Sequence, residues 1–281
     1  MILHIVPVGL SIITNLDGTT SKAIRANPAT YLNDRVELRK IVAAQQTKLK
    51  RAPGSHAEKS VSAEIASLTY NGESRAYDPY PNAGHNVLFL ASKSPDSSGP
   101  GELAAMMNLM ALELAGLNLP PDYIPERDAP CSDGVLPLPA GIVAVPGLEP
   151  ASGNDFKQTG IANIAGLMAK VVSKLNEERG AAAVFHLSGG FGATIPFLVF
   201  FAELLQAAVR SKATVRAQMI WEKADVTVDI PLRPYNLEHL RAELNKKGDG
   251  QYGDGYLARG KEFTALGTAV DEFLREIMPR L

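Results

Sequence analysis

The chain has 281 residues, 46% of them hydrophobic, with 28 lysines and arginines against 30 aspartates and glutamates and a formal net charge of −2. That is enough apolar material for a large core, in one domain or in one domain with a small addition, and the near-neutral balance excludes the broad basic field used for non-specific binding to long nucleic acid. The single cysteine, Cys131, excludes an internal disulfide framework and a cysteine metal cluster, and it predicts a reducing, cytoplasmic setting.

No basic segment followed by an apolar stretch and a small-residue cleavage site opens the chain, so no secretory signal is expected. Ile2 to Val8 reads as a buried strand, with a helix starting near Ser11. Asp34 to Lys50 reads as a helix with charges among Val36, Leu38, Ile41 and Val42, and Val61 to Leu68 as a short one. Asn86 to Ala91 is a buried strand with Ser92-Lys93-Ser94-Pro95 as its exit loop, and Glu102 to Ala115 is a helix. The proline-rich, acidic stretch from Leu117 to Pro139 is expected to be an irregular excursion around the edge of the sheet.

Order returns with a strand at Ile142–Val145 and a helix from about Asp155 to Glu178, followed by a strand at Ala182–Leu187. Ala193 to Val209 reads as an apolar helix. Its longest apolar run, Ile195 to Leu205, is broken by Glu203 and is too short to cross a bilayer, so no membrane partner is expected. Thr214–Trp221 and Val226–Ile230 form a last strand pair. Such alternation predicts an α/β fold with a Rossmann-like, mostly parallel sheet and helices on both faces.

Residues 1–232 form the main domain in this reading, and residues 233–281 a small C-terminal appendage. The appendage carries helices at Asn236–Asn245 and Glu262–Ile277 around a glycine-rich link. That order suits a winged helix, although its charge mix is not strongly basic; a packing or dimerisation element is the plainer reading.

Two strand-to-helix loops carry the chemistry: Gly9-Leu10-Ser11-Ile12-Ile13-Thr14-Asn15 after the first strand and Ser188-Gly189-Gly190-Phe191 after the strand at Ala182–Leu187. In an open α/β sheet such loops lie at the carboxyl ends of the strands, where ligands bind. The helix N-termini behind them favour anions. A phosphate-bearing ligand is therefore expected.

Other patterns weigh less. Gly248-Asp249-Gly250-Gln251-Tyr252-Gly253 matches G-x-G-x-x-G, but no buried strand precedes it and no helix follows, so it reads as a turn. Arg233 and His239 have a spacing seen in some metal-independent ribonucleases, yet Pro234 follows the arginine and the two straddle a loop-to-helix boundary. His4 and His186 alternate with apolar residues within strands and read as core histidines, while His85 has no partner nearby in sequence. No H-E-x-x-H, P-loop lysine motif or G-x-S-x-G elbow is present.

Val8-Gly9-Leu10-Ser11 with Thr14-Asn15, and Leu187-Ser188-Gly189-Gly190-Phe191 with Thr194, Ile195 and Pro196, resemble the CRISPR-associated Rossmann fold (CARF) family. Ser62 to Leu68, Leu88 to Ser92 and Val145 to Leu148, followed by Phe156 and Gly160, resemble it in the same order. The likeness covers about residues 1–232 and is nearest to the branch of ring nucleases and sensor domains of CRISPR-associated ribonucleases.

The resemblance implies binding of a cyclic oligoadenylate, the second messenger of type III CRISPR antiviral defence. Cyclic tetra-adenylate is the form that best suits a two-fold homodimer, which presents the same loops to opposite halves of the ring. Backbone amides at Gly9, Leu10, Gly189 and Gly190 would meet phosphates, Ser11 and Asn15 would bond ribose or phosphate oxygens, and Thr14, Ser92, Ser188, Phe191, Gly192 and Thr194 would complete the binding set. No cofactor and no metal is implied.

Cleavage of the ring is a separate question. In the ring-nuclease branch the position after the Gly-Gly-aromatic triplet is often lysine, which stabilises charge on the phosphate while the ribose 2′-hydroxyl attacks; here it is Gly192. Lys93, or Lys157, is the candidate replacement, with Ser11 orienting the attacking hydroxyl. Three readings stay open: a metal-independent ring nuclease, a non-catalytic sensor or sponge that signals through the C-terminal appendage to a protein or DNA, and a ligand-activated effector in residues 233–281.

Overall fold

The computed structural model of the chain describes residues 1–45, 62–69, 85–93, 99–114, 136, 138–148, 156–190, 192–221, 226–245, 257–259 and 262–280. Its centre is a six-stranded sheet built from β1 (Ile2–Pro7), β2 (His85–Lys93), β3 (Ala140–Pro146), β4 (Ala181–His186), β5 (Ala213–Trp221) and β6 (Val226–Ile230), in the order β3-β2-β1-β4-β5-β6. The first five are parallel and β6 is antiparallel to β5. Parallel strands covered on both faces are apolar at consecutive positions, as at Leu3, Ile5 and Val6 in β1 and Val87 to Ala91 in β2. The expected α/β fold with a Rossmann-like, mostly parallel sheet is the one observed.

After β1 come α1 (Ser11–Thr14), α2 (Gly18–Ala26), α3 (Pro28–Asn33) and α4 (Arg35–Ala43). The Asp17 side chain caps α2 by accepting from the Thr19 and Thr20 amides, Pro28 opens α3, and Asp34 caps α4 through the Glu37 amide. Helix α2 and helix α3 were not expected. Each exposes mostly polar residues and buries one apolar side chain, Ile24 and Leu32 respectively. Next follow α5 (Ala63–Thr69) and α6 (Pro100–Leu114); α6 is buried from Gly101 to Leu112 because it lies between the sheet and the α3–α4 layer.

The opposite face carries α7 (Ile161–Glu177), entered through a π-turn at Phe156–Gly160, and α8 (Ile195–Val209), entered through a 3₁₀ turn at Gly192–Thr194. Alternate residues along β1 divide the core: Leu3 and Ile5 face α7 and α8, and Val6 faces the helices of the N-terminal half.

The C-terminal residues form α9 (Leu237–Asn245), the two-residue strands β7 (Ala258–Arg259) and β8 (Glu262–Phe263), and α10 (Ala265–Ile277). Helix α10 packs along α7, and Leu240, Leu244, Phe273, Leu274 and Ile277 lie in the same hydrophobic cluster as Phe185, Phe201 and Met168. Phe201 and Phe273 meet edge to face at 6.2 Å between ring centroids. Helices α9 and α10 thus add to the apolar layer that α7 and α8 form on that side of the sheet.

Some boundaries differ from expectation. β2 continues through Ser92 and Lys93, which pair with Val145 and Pro146 of β3, so neither belongs to an exit loop. Glu262 and Phe263 form β8 because Thr264 begins the helix, its hydroxyl accepting from the Gly267 amide. By length and composition alone Gly192–Val209 could cross a membrane; here 56% of it is buried within the fold. The glycine-rich segment 248–253, expected to be a turn, the stretch 117–135 and Phe191 lie outside the described residues.

Candidate functional site

Strand order reverses between β1 and β4: the chain leaves β1 for β2 on one side and β4 for β5 on the other. Ligands of open α/β sheets bind outside the carboxyl ends of the strands at such a switch point. The two predicted loops meet there. A Cβ on Gly9 would lie 3.1 Å from the Gly190 nitrogen, and one on Gly190 would lie 2.7 Å from the Pro7 Cβ. Gly190 also has φ +90°, a conformation costly for any other residue. The loops come this close because neither has a side chain at the contact.

Beside them opens a cleft of about 370 Å³. Its walls come from the end of β1 and the loop after it (Pro7, Val8, Gly9, Leu10), the end of β2 (Leu90, Ser92), the start of α6 (Pro100, Gly101), Leu148, Ile164, Gly190, and the start of α8 (Thr194, Leu198). Among the described residues no charged side chain lines it. The walls are apolar, and the polar character comes from Ser92, Thr194 and backbone groups. Two helices of fifteen residues each, α6 and α8, point their N-termini at the cleft, so its rim carries positive partial charge without a basic side chain.

The predicted ligand set divides. Gly9, Leu10, Ser92, Gly190 and Thr194 line the cleft. Thr14 and Asn15 are exposed at the end of α1, where the Thr14 hydroxyl donates to the Ser11 carbonyl at 2.9 Å. Ser188 takes the Ile220 amide on its hydroxyl at 2.6 Å, which ties the second loop to β5. Gly189 is buried, and Gly192 is exposed with no atom within 4 Å of where its Cβ would be. Lys93 stands half-buried at the end of β2 and does not line the cleft.

Sequence reasoning missed Glu64. The first turn of α5 turns this carboxylate into the first loop, where it is fully buried. Its Oε1 accepts the Gly9 amide at 2.7 Å and its Oε2 accepts the Ser11 hydroxyl at 2.5 Å, while the Ser11 Oγ accepts the Ala63 amide at 3.2 Å. A Cβ on Gly189 would lie 2.6 Å from Glu64 Oε1, so the carboxylate also backs the second loop. The seat of α5 is set by Ser62, which caps the helix through the Ile65 amide and donates to the buried Asn108 of α6 at 2.6 Å. Two of the donors expected to meet ligand, the Gly9 amide and the Ser11 hydroxyl, are therefore engaged by a side chain of the protein itself. The only forward signal was an acidic residue in a short helix of otherwise small and apolar residues.

The histidines also group. His4 Nδ1 lies 2.8 Å from His186 Nε2, His4 Nε2 lies 3.0 Å from His85 Nδ1, and the Gln218 amide lies 3.3 Å from His186 Nδ1. The row crosses β2, β1, β4 and β5. Burial pushes His186 down to about 4, against the Ser67 backbone carbonyl acting the other way. His4 is pushed well below its ordinary value by burial first, then by the neighbouring His186 and His85. His85 thus has a partner after all, from another strand.

Arg233 is engaged elsewhere: its backbone amide and Nε donate to Glu203 Oε1 at 3.1 and 3.0 Å. His239 is exposed on α9, its amide donating to Asn236 Oδ1. Among the described residues no group of three or more histidine, cysteine, aspartate or glutamate side chains is arranged to hold a metal. The chain matches no model of a known protein family, and a search of curated proteins finds no match either.

Proposed function

We propose that this protein binds a cyclic oligoadenylate, cyclic tetra-adenylate in the first instance, at the β1–β4 switch point, as a homodimer with the ring on its two-fold axis. The observation that carries this reading is the contact between Gly9 and Gly190, which joins two small-residue loops at one cleft between the N-termini of α6 and α8. Backbone groups and helix termini suit a few phosphates held locally by a protein of net charge −2. The apolar walls suit the face of a base, and about 370 Å³ lies within the usual range of small-molecule sites, roughly 300–1,000 Å³. The order of motifs that resembles the CARF family supplies the identity of the ligand.

Binding without cleavage is the better-supported form of this reading. Gly192 offers no cation, Lys93 stands outside the cleft, and the Ser11 hydroxyl is held by Glu64. The side chain of Lys157 lies outside the described residues. The test is to incubate the protein with labelled cyclic tetra-adenylate in EDTA and to follow binding and products together. Tight binding with the ring intact supports a sensor or sponge; linear di-adenylate ending in a cyclic phosphate makes it a metal-independent ring nuclease; no binding removes the reading.

A further inference from the structure

The Glu64 carboxylate occupies the donors that a phosphate would need at the first loop. Both of its oxygens are used, Oε1 by the Gly9 amide and Oε2 by the Ser11 hydroxyl. It is fully buried, and among the described residues no lysine or arginine pairs with it. The same carboxylate stands against Gly189 of the second loop, so one negative charge lies beneath both halves of the site. A second anion placed on those donors would meet that charge at short range and at low dielectric, where repulsion is strong. Carboxylate and phosphate use the same geometry at backbone amides, and bonds to an ionised acceptor are roughly twice as strong as neutral ones.

We infer that Glu64 is a built-in anion that competes with ligand phosphate: the Gly9 amide and the Ser11 hydroxyl serve either the carboxylate or a phosphate, never both. The inference rests on the reading of the first loop as a phosphate-binding loop. It makes the Glu64 seat a determinant of affinity, because a phosphate enters only as the carboxylate leaves. It also explains why Glu64 is held from two sides. Ser62 and Asn108 fix the start of α5, and the Ser67 hydroxyl donates to the Glu64 carbonyl at 2.9 Å, so the carboxylate is aimed at the loop by its own helix.

The experiment uses the full chain and Glu64→Gln, which keeps the shape and one acceptor for the Gly9 amide but removes the charge. Wild type and variant are titrated with inorganic phosphate while the Gly9 amide resonance is followed, and with cyclic tetra-adenylate while affinity is measured. Expected is a saturable phosphate-induced shift of Gly9 in the variant and none in wild type, together with cyclic tetra-adenylate binding roughly five- to tenfold tighter in the variant. A Gly9 resonance that phosphate leaves unmoved in both proteins, or measurable cyclic tetra-adenylate binding to both that is equal or weaker in the variant, overturns the inference and makes Glu64 a structural brace. A phosphate response at Gly9 in the variant with no cyclic tetra-adenylate binding to either protein removes the ligand reading and leaves the competition standing. Should the variant not fold, the Glu64 side-chain carboxyl carbon in wild type decides. Saturation with cyclic tetra-adenylate must move its resonance, and an unmoved resonance in a saturated complex overturns the inference.

Discussion

His4 Nδ1 and His186 Nε2 lie 2.8 Å apart, joining β1 to β4 through two buried rings that are 182 positions apart in the chain. A neutral imidazole has one donor and one acceptor, so His85, His4 and His186 form a single chain of hydrogen bonds that runs in one direction at a time. An added proton has no acceptor left to meet inside that row.

The first prediction concerns pH. Both buried rings have folded pKa values below the unfolded value of 6.5, with His186 at about 4. Above 6.5 both states are neutral and stability is complete. As pH falls below 6.5 the unfolded chain takes up protons that the folded chain refuses, so stability is lost, for His186 by up to about 1.4 kcal/mol per pH unit until about pH 4. Urea unfolding at pH 7.5, 5.5 and 4.5 checks this. His186→Gln should lower stability at pH 7.5 by about 1–3 kcal/mol and flatten the loss on acidification; parallel pH profiles would reject the assignment.

The second concerns the loop contact. Gly190→Ala places a Cβ 2.7 Å from that of Pro7 at φ +90°, and should cost about 1–3 kcal/mol. Gly192→Ala, with nothing within 4 Å, should stay within about 0.5 kcal/mol of wild type. Thermal unfolding separates the two, and equal melting temperatures would mean that the loops do not touch.

The third concerns cleavage. Because Gly192 has open space around its Cβ direction, Gly192→Lys is sterically free and sets a cation beside the second loop. One such group is worth about two to three orders of magnitude in rate, so the variant should convert cyclic tetra-adenylate to linear products measurably faster than wild type. Unchanged product formation with binding intact would place the phosphates away from residue 192.

The fourth concerns Arg233. Glu203 is 2% exposed within an apolar helix, and Arg233, itself 75% exposed, supplies its charge partner. Arg233→Ala should cost about 1–3 kcal/mol by leaving a buried carboxylate unpaired. Adding Glu203→Gln should recover part of that loss, since the uncompensated charge is then gone. A double variant as unstable as the single one would show that the arginine acts otherwise.

How much was legible in the sequence follows from the range of the forces involved. Ile2–Pro7 and Ala181–His186 were readable because buried parallel strands need apolar residues at consecutive positions, and the turn residues Gly9 and Gly190 stand directly after them. Helices α2 and α3 were not readable, since Thr19, Thr20 and Ser21 favour caps and turns over helix interiors; only Asp17 and Pro28 announced them. Glu64 was invisible because its partner, the Gly9 amide, is 55 positions away and offers no side chain to pattern against. The same holds for His85: strand order, not local sequence, puts it against His4.

Glu203 and Arg233 are 30 positions apart, with β5 and β6 between them. During synthesis the apolar segment Gly192–Val209 therefore emerges well before the arginine that will neutralise its carboxylate. By length and composition alone that segment passes for a membrane span, with Glu203 its one charged residue. A charged residue at the centre of a spanning helix costs about 2.5–3.5 kcal/mol on insertion scales. The same side chain is thus a cost to the segment in lipid and the anchor of Arg233 in the folded protein.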